Sequence, residues 1–203
     1  MNRPDLAQPF PADTELARPL LADAMQAYGF LETPPPPAAL RWVDTFVDAY
    51  AGRVATLREA LEEVADLRAE ATTVPALELE RLRTRQVLFF IDTVSQYVDR
   101  QNELRGLPVS LDVPIMASEF GIASEDAMHA LRMALTGKAE GPAFELLFPL
   151  LGHDRIMMRI GAVNSHILHG RGLEPIPYGP GGVPFEPIPS QRPQATEDGT
   201  AGS

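Results

Sequence analysis

Residues 124–170 read SEDAMHALRMALTGKAEGPAFELLFPLLGHDRIMMRIGAVNSHILHG, and this stretch decides the fold. Gly137, Gly141-Pro142, Gly152 and Gly170 punctuate it. Proline opens helices at the first turn and glycine closes them in the left-handed conformation, so these marks bound helices rather than strands. The spacing predicts helices over 124–135 ending at Gly137, over 142–151 ending at Gly152, and over 154–169 ending at Gly170. No run alternates apolar and polar residues with period two, as a half-buried strand would.

The same punctuation continues toward the N-terminus. Thr14 is expected to cap a helix with Leu16, Leu20, Leu21 and Met25 as its apolar stripe, ending at Gly29. Pro34 to Pro37 form a stiff extended bridge to a second helix, with Leu40, Val43, Val47 and Tyr50 on one face and Gly52 at its end. A third follows with the stripe Leu57, Leu61, Val64 and Leu67, leaving Arg58, Glu62, Glu63 and Arg68 on the wet side. After Pro75 the chain runs to Arg105 with neither Gly nor Pro. That run predicts one long spine helix, followed by a shorter helix over about 110–120. The fold class is therefore all-α: about eight helices in two small lobes joined by a long central helix. The expected organisation is an N-terminal segment 1–12, a first lobe and spine 13–105, a second lobe 106–170 and a tail 171–203. Seven Pro and six Gly among the last 33 residues, with few large apolar ones, predict a disordered tail.

Composition narrows the chemistry. The chain has 203 residues and no cysteine, which excludes disulfide frameworks, thiolate metal sites and cysteine nucleophiles. No apolar run reaches membrane-helix length and the N-terminus lacks a signal-peptide core, so a cytoplasmic protein without membrane contact is expected. Net charge is −11 but unevenly spread: residues 1–80 carry six Arg against fourteen acidic residues, whereas 127–171 carry five basic against three. A polyanion would be met at 127–171. No phosphate-binding loop, dinucleotide fingerprint, nucleophile elbow or zinc-protease motif is present, so no catalytic residue is assigned. His166 and His169 lie one helical turn apart and His153 could join them, but no carboxylate completes a ligand set; they are read as structural, with no metal or cofactor expected. The pairs Glu62–Glu63 and Glu125–Asp126 are read as a solvated face and a dipole-favoured first turn. Trp42 and Tyr50 are read as packing residues.

Several elements of the deciding stretch recur together: Leu131-Arg132-x-Ala134-Leu135-Thr136-Gly137, then Gly141-Pro142, Leu151-Gly152, and Asp154-Arg155 leading to Arg159-Ile160. At this spacing they closely resemble the C-terminal anticodon-binding region of bacterial glutamyl-tRNA synthetases, which are class I enzymes. Arg53-Val54-Ala55-Thr56-Leu57 is similar to that family's R-x-x-T-L segment, and Thr14 to Leu31 to the helix that begins its first anticodon lobe. The resemblance covers about residues 13–165 and implies recognition of a tRNA anticodon loop, with tRNA-Glu as the candidate and DNA not a partner. It assigns anticodon reading to Arg132, and Lys138, Arg155 and Arg159 complete the candidate RNA-binding set; Phe144 and Arg155 also match scaffold positions. The ATP- and glutamate-binding part of the family has no counterpart here, so the expectation is a stand-alone domain that does not itself aminoacylate, with a synthetase catalytic subunit as a candidate partner. The alternative is a helical adaptor that contacts protein through its acidic first lobe and Pro-rich tail. His166-Ile167-Leu168-His169 echoes the synthetase H-I-G-H signature, but Leu replaces the glycine that lets ATP approach the backbone.

Overall fold

The computed structural model describes residues 3–103 and 112–169, the side chains of 102, 103 and 169 excepted. The expected tail 171–203 lies outside the described residues. Among the described residues eight helices follow one another: α1 Thr14–Ala27, α2 Pro37–Tyr50, α3 Leu57–Arg68, α4 Ala76–Leu82, α5 Arg85–Glu103, α6 Val113–Glu119, α7 Ser124–Thr136 and α8 Phe144–His169. Among the described residues there is no strand, only an isolated bridge between Pro9 and Thr56, so the protein is all-α. No described helix is long and apolar enough to cross a membrane.

The helix ends follow sequence chemistry, with three departures. The cap of α1 is Asp13, whose carboxylate accepts from the Glu15 N–H, because Thr14 already has helical geometry. Ala17, Leu21, Ala24 and Met25 form the buried face of α1; of the expected stripe Leu21 and Met25 are buried and Leu20 is partly buried, while Leu16 is 63% exposed. The uninterrupted run from Pro75 is two helices. Arg83 leaves helical geometry, and the Thr84 hydroxyl accepts from the Val87 N–H at 3.1 Å, capping α5 without Gly or Pro.

At α8 the two expected helices meet end to end. Gly152 adopts φ 72° and ψ 163°, breaking the helix where the sequence placed its end. Pro149, inside the first arm, lacks the N–H that would bond back one turn, and the break follows three residues later. The Leu150 carbonyl beside the break is taken up by Trp42, whose indole N–H donates to it at 2.9 Å. Trp42 heads an aromatic ladder on α2, stacked on Phe46 at 5.6 Å, which in turn stacks on Tyr50 at 4.6 Å. Positions four apart share a helix face, so this ladder is the seam between α2 and α8. The second major seam of α8 is with α5, whose Phe90, Ile91, Val94 and Val98 are buried. α8 thus also touches α3, α4 and α7 and is the central element of the core.

Candidate nucleic-acid interface

The last carbonyls of a helix have no partner within it. At α3 they converge on basic side chains from α8. Arg159, only 2% exposed, donates through Nη2 to Asp66 O at 2.6 Å and Ala69 O at 2.7 Å, and through Nη1 to Leu135 O at 2.5 Å. One planar guanidinium thereby ties the ends of α3 and α7 to α8, a task its fork of donors suits and a lysine could not match. Burial lowers the Arg159 pKa, and the nearby charge of Arg155 lowers it further. Arg155 completes the clamp: its Nε donates to Arg68 O at 3.0 Å and its Nη1 to Leu151 O at 3.3 Å. Arg68 itself lies over the Trp42 ring, 5.7 Å from its centroid.

Arg132 occupies the interior side of α7 at 9% exposure. Its Nη1 donates to Pro142 O at 2.7 Å, and its guanidinium carbon lies 4.7 Å from the centre of the Phe144 ring. Burial lowers its pKa and the charge of Arg53 adds to the effect. Glycine at 141 permits this seat, since a Cβ there would stand 2.9 Å from Nη1. Gly137, at φ 69°, needs glycine twice over: the left-handed cap disfavours a side chain, and a Cβ would meet Thr73 O at 2.3 Å.

Beside Arg132 a pocket of about 180 Å³ opens, lined by Tyr50, Arg53, Glu63, Lys138, Glu140 and Pro142 among others. Its charge is mixed. Lys138 Nζ donates to Glu63 Oε1 at 2.6 Å and to Asp66 Oδ2 at 2.9 Å. Burial works against its charge, but these two carboxylates hold the ammonium above its ordinary pKa. Burial, reinforced by Glu63, pushes the Tyr50 hydroxyl well above the ordinary range. Arg53 is exposed and, among the described residues, has no carboxylate partner.

Of the four residues singled out in the sequence, Lys138 lines the pocket, Arg155 and Arg159 bind the end of α3, and Arg132 holds the Pro142 carbonyl at the pocket wall, each with at least one donor engaged inside the protein. Arg132 and Arg159 are buried, whereas Lys138 and Arg155 are partly accessible. Arg53 entered the sequence reading only as the first letter of R-x-x-T-L, yet it supplies the accessible cation at the pocket. Glu63 is expected on the wet side of α3 and Asp66 has no place in the sequence reading, yet both prove to be the partners of Lys138. Neither pairing has a local signal, because each joins residues more than seventy positions apart. The histidines are scattered: His153 bridges Asp99 at 3.1 Å and Asp154 at 2.9 Å, His129 meets Glu78 at 2.9 Å, and His166 is exposed. No group of three or more His, Asp or Glu among the described residues could hold a metal ion.

The chain matches the family described as the anticodon binding domain over residues 14–163. It is 21% identical to a glutamate–tRNA ligase of Lactobacillus delbrueckii subsp. bulgaricus over 149 residues, which are 73% of this chain and 30% of that protein. A 40-residue segment is 48% identical to glutamate–tRNA ligase 2 of Gluconacetobacter diazotrophicus, covering 20% of this chain and 9% of the relative. A 44-residue segment is 46% identical to glutamate–tRNA ligase 1 of Rubrobacter xylanophilus, covering 22% and 10%. The chain spans less than a third of the length of each of these relatives. A family match that runs from the first residue of α1 to within two turns of the end of α8 takes in the clamp, the buried arginines and the pocket alike, and the chain belongs to the anticodon-binding domains of the glutamate–tRNA ligase type.

Proposed function

We propose that this domain recognises the anticodon loop of a tRNA, with tRNA-Glu as its candidate, and does not itself catalyse aminoacylation. The observation that carries the reading is the pocket beside Arg132, in a chain of this family. Loop bases are splayed out of the stack and read by paired donors and planar groups, and a cleft of this size suits one of them. In this reading Arg53 is the accessible fork at the mouth. Lys138 contributes a point charge to phosphate once freed from its carboxylates, and Arg155 supports the same strand from the end of α3. Arg132 and Arg159 act from within, by holding the Pro142 turn and the α3–α7 junction in place. The protein would act beside a separate catalytic subunit in the cytoplasm.

Binding should be modest, since a net charge of −11 opposes a polyanion. Two or three phosphate contacts to a single strand give a salt slope of about −2. The test is filter binding of total tRNA at low salt with sequencing of the retained species. Enrichment of one isoacceptor group supports the reading. If no tRNA is retained, the adaptor reading replaces it, favoured by the acidic α1–α2 face on which Arg18 is ringed by Glu15, Asp44 and Asp48.

A further inference from the structure

We infer that Glu63 and Asp66 act as an internal stand-in for RNA phosphate, closing Lys138 into an ion-pair triad that RNA must open before it binds. The inference rests on the proposed RNA reading of the pocket and concerns how that site is regulated. Three features of the structure carry it.

Lys138 is the one lysine of the chain and follows the Gly137 cap, where Thr136 Oγ1 accepts from its backbone N–H at 3.2 Å. The backbone is thus held, while the side chain remains 41% exposed and can swing on its four-carbon stem. The two carboxylates, by contrast, project from a held backbone. Both stand on α3, one turn apart, the Asp66 backbone is held by Arg159, and the Glu63 carboxylate lies against the Tyr50 hydroxyl. Finally, the pocket wall carries Glu63 and Glu140 against Arg53 and Lys138. With Lys138 paired inward, the accessible charge facing a ligand falls to Arg53 alone, opposed by Glu140 and the open side of Asp66.

A phosphate that takes Lys138 leaves Glu63 and Asp66 unpaired and close to a polyanion. That exchange costs binding free energy for every RNA alike, so a bare backbone contact gains little and a ligand must add contacts to its bases. The triad therefore suppresses indiscriminate polyanion binding at a site whose family role requires discrimination.

The test uses the full chain, a labelled anticodon stem-loop and an unrelated stem-loop. Glu63→Gln with Asp66→Asn should bind both about tenfold more tightly at low salt, the size of two partly exposed ion pairs. Its salt slope should steepen by about 0.7, one further phosphate contact. Asp66→Asn alone changes a largely exposed carboxylate and should give about threefold, which keeps the idea testable should the double variant misfold by circular dichroism. Adding Lys138→Ala should abolish the gain. Glu62→Gln with Glu70→Gln, an equal charge change at exposed positions off the triad, should change affinity less than about twofold. The inference is overturned if the triad variants leave affinity and slope unchanged while wild type binds, if their gain survives without Lys138, or if the control pair gives the same gain. If neither wild type nor the variants bind RNA, the RNA reading itself falls and takes the triad's role with it.

Discussion

Arg159→Met removes the guanidinium that joins three helices while keeping a side chain of similar length in the same space. The structure sets the size of the effect. Leu135 O, Asp66 O and Ala69 O each lose a bond of 2.5 to 2.7 Å, in a region that water reaches poorly. A buried polar group left unpaired costs about 1–3 kcal/mol. Against this, the variant no longer buries a charge, an expense of several kcal/mol on its own. The balance stays destabilising, at about 2–4 kcal/mol, because three neutral carbonyls stay behind unpaired when the donor leaves. A domain of this kind has about 5–15 kcal/mol in all, so the loss is readily seen as a lowered urea midpoint at 222 nm. Arg159→Lys should recover only part of it, since an ammonium cannot span the ends of both α3 and α7. A loss below about 1 kcal/mol for Arg159→Met would refute the clamp.

Three further outcomes follow from single contacts. Gly137→Ala should destabilise by more than about 2 kcal/mol in the same assay, from left-handed strain together with the collision at Thr73 O. Trp42→Phe should cost about 1 kcal/mol by leaving the Leu150 carbonyl at the α8 break without its indole donor. His153 carries a raised pKa, caused first by its hydrogen bond to Asp154, with burial opposing and Asp99 adding. A group whose pKa rises on folding stabilises the fold below its ordinary value near 6.5 and loses that contribution as pH climbs through the raised value. Stability should therefore fall by a few tenths of a kcal/mol from about pH 6 upward relative to His153→Gln, a small figure because Asp154 is almost fully exposed. A curve parallel to that of His153→Gln would show that the bridge does not form in solution.

Helix existence was legible because it depends on local chemistry. Gly137 and Gly152 mark left-handed positions that few other residues adopt, and the α3 stripe of Leu57, Leu61, Val64 and Leu67 is buried as its spacing requires. The α4–α5 break was hidden for the same reason: a threonine cap is a weaker mark than Gly or Pro, and the apolar pattern runs through it. Leu16 misled because any leucine at helical spacing counts toward a stripe, whereas the neighbours that bury Ala17 instead come from α2 and α3. At the site, the sequence marks Arg132, Lys138, Arg155 and Arg159 as cations but not what their donors face. Arg132, Lys138, Arg155 and Arg159 all look like free cations in one dimension. Only the fold brings the end of α3 to Lys138, Arg155 and Arg159 and the Pro142 carbonyl to Arg132, supplying the groups that engage their charge. Arg53 is the converse, an unremarked residue in a motif that the fold leaves open to solvent.

The claim that this domain reads an anticodon loop is tested most directly by fluorescence anisotropy with two labelled RNAs that share one stem and differ only in the loop, measured against wild type and Arg53→Ala at one low salt concentration. The account predicts that replacing the seven-base loop of the enriched tRNA by an unrelated one weakens wild-type binding at least about tenfold, the 1–3 kcal/mol of a lost base contact, and that Arg53→Ala narrows the difference between the two loops. Equal affinity for both loops, or discrimination undiminished in Arg53→Ala, would contradict it.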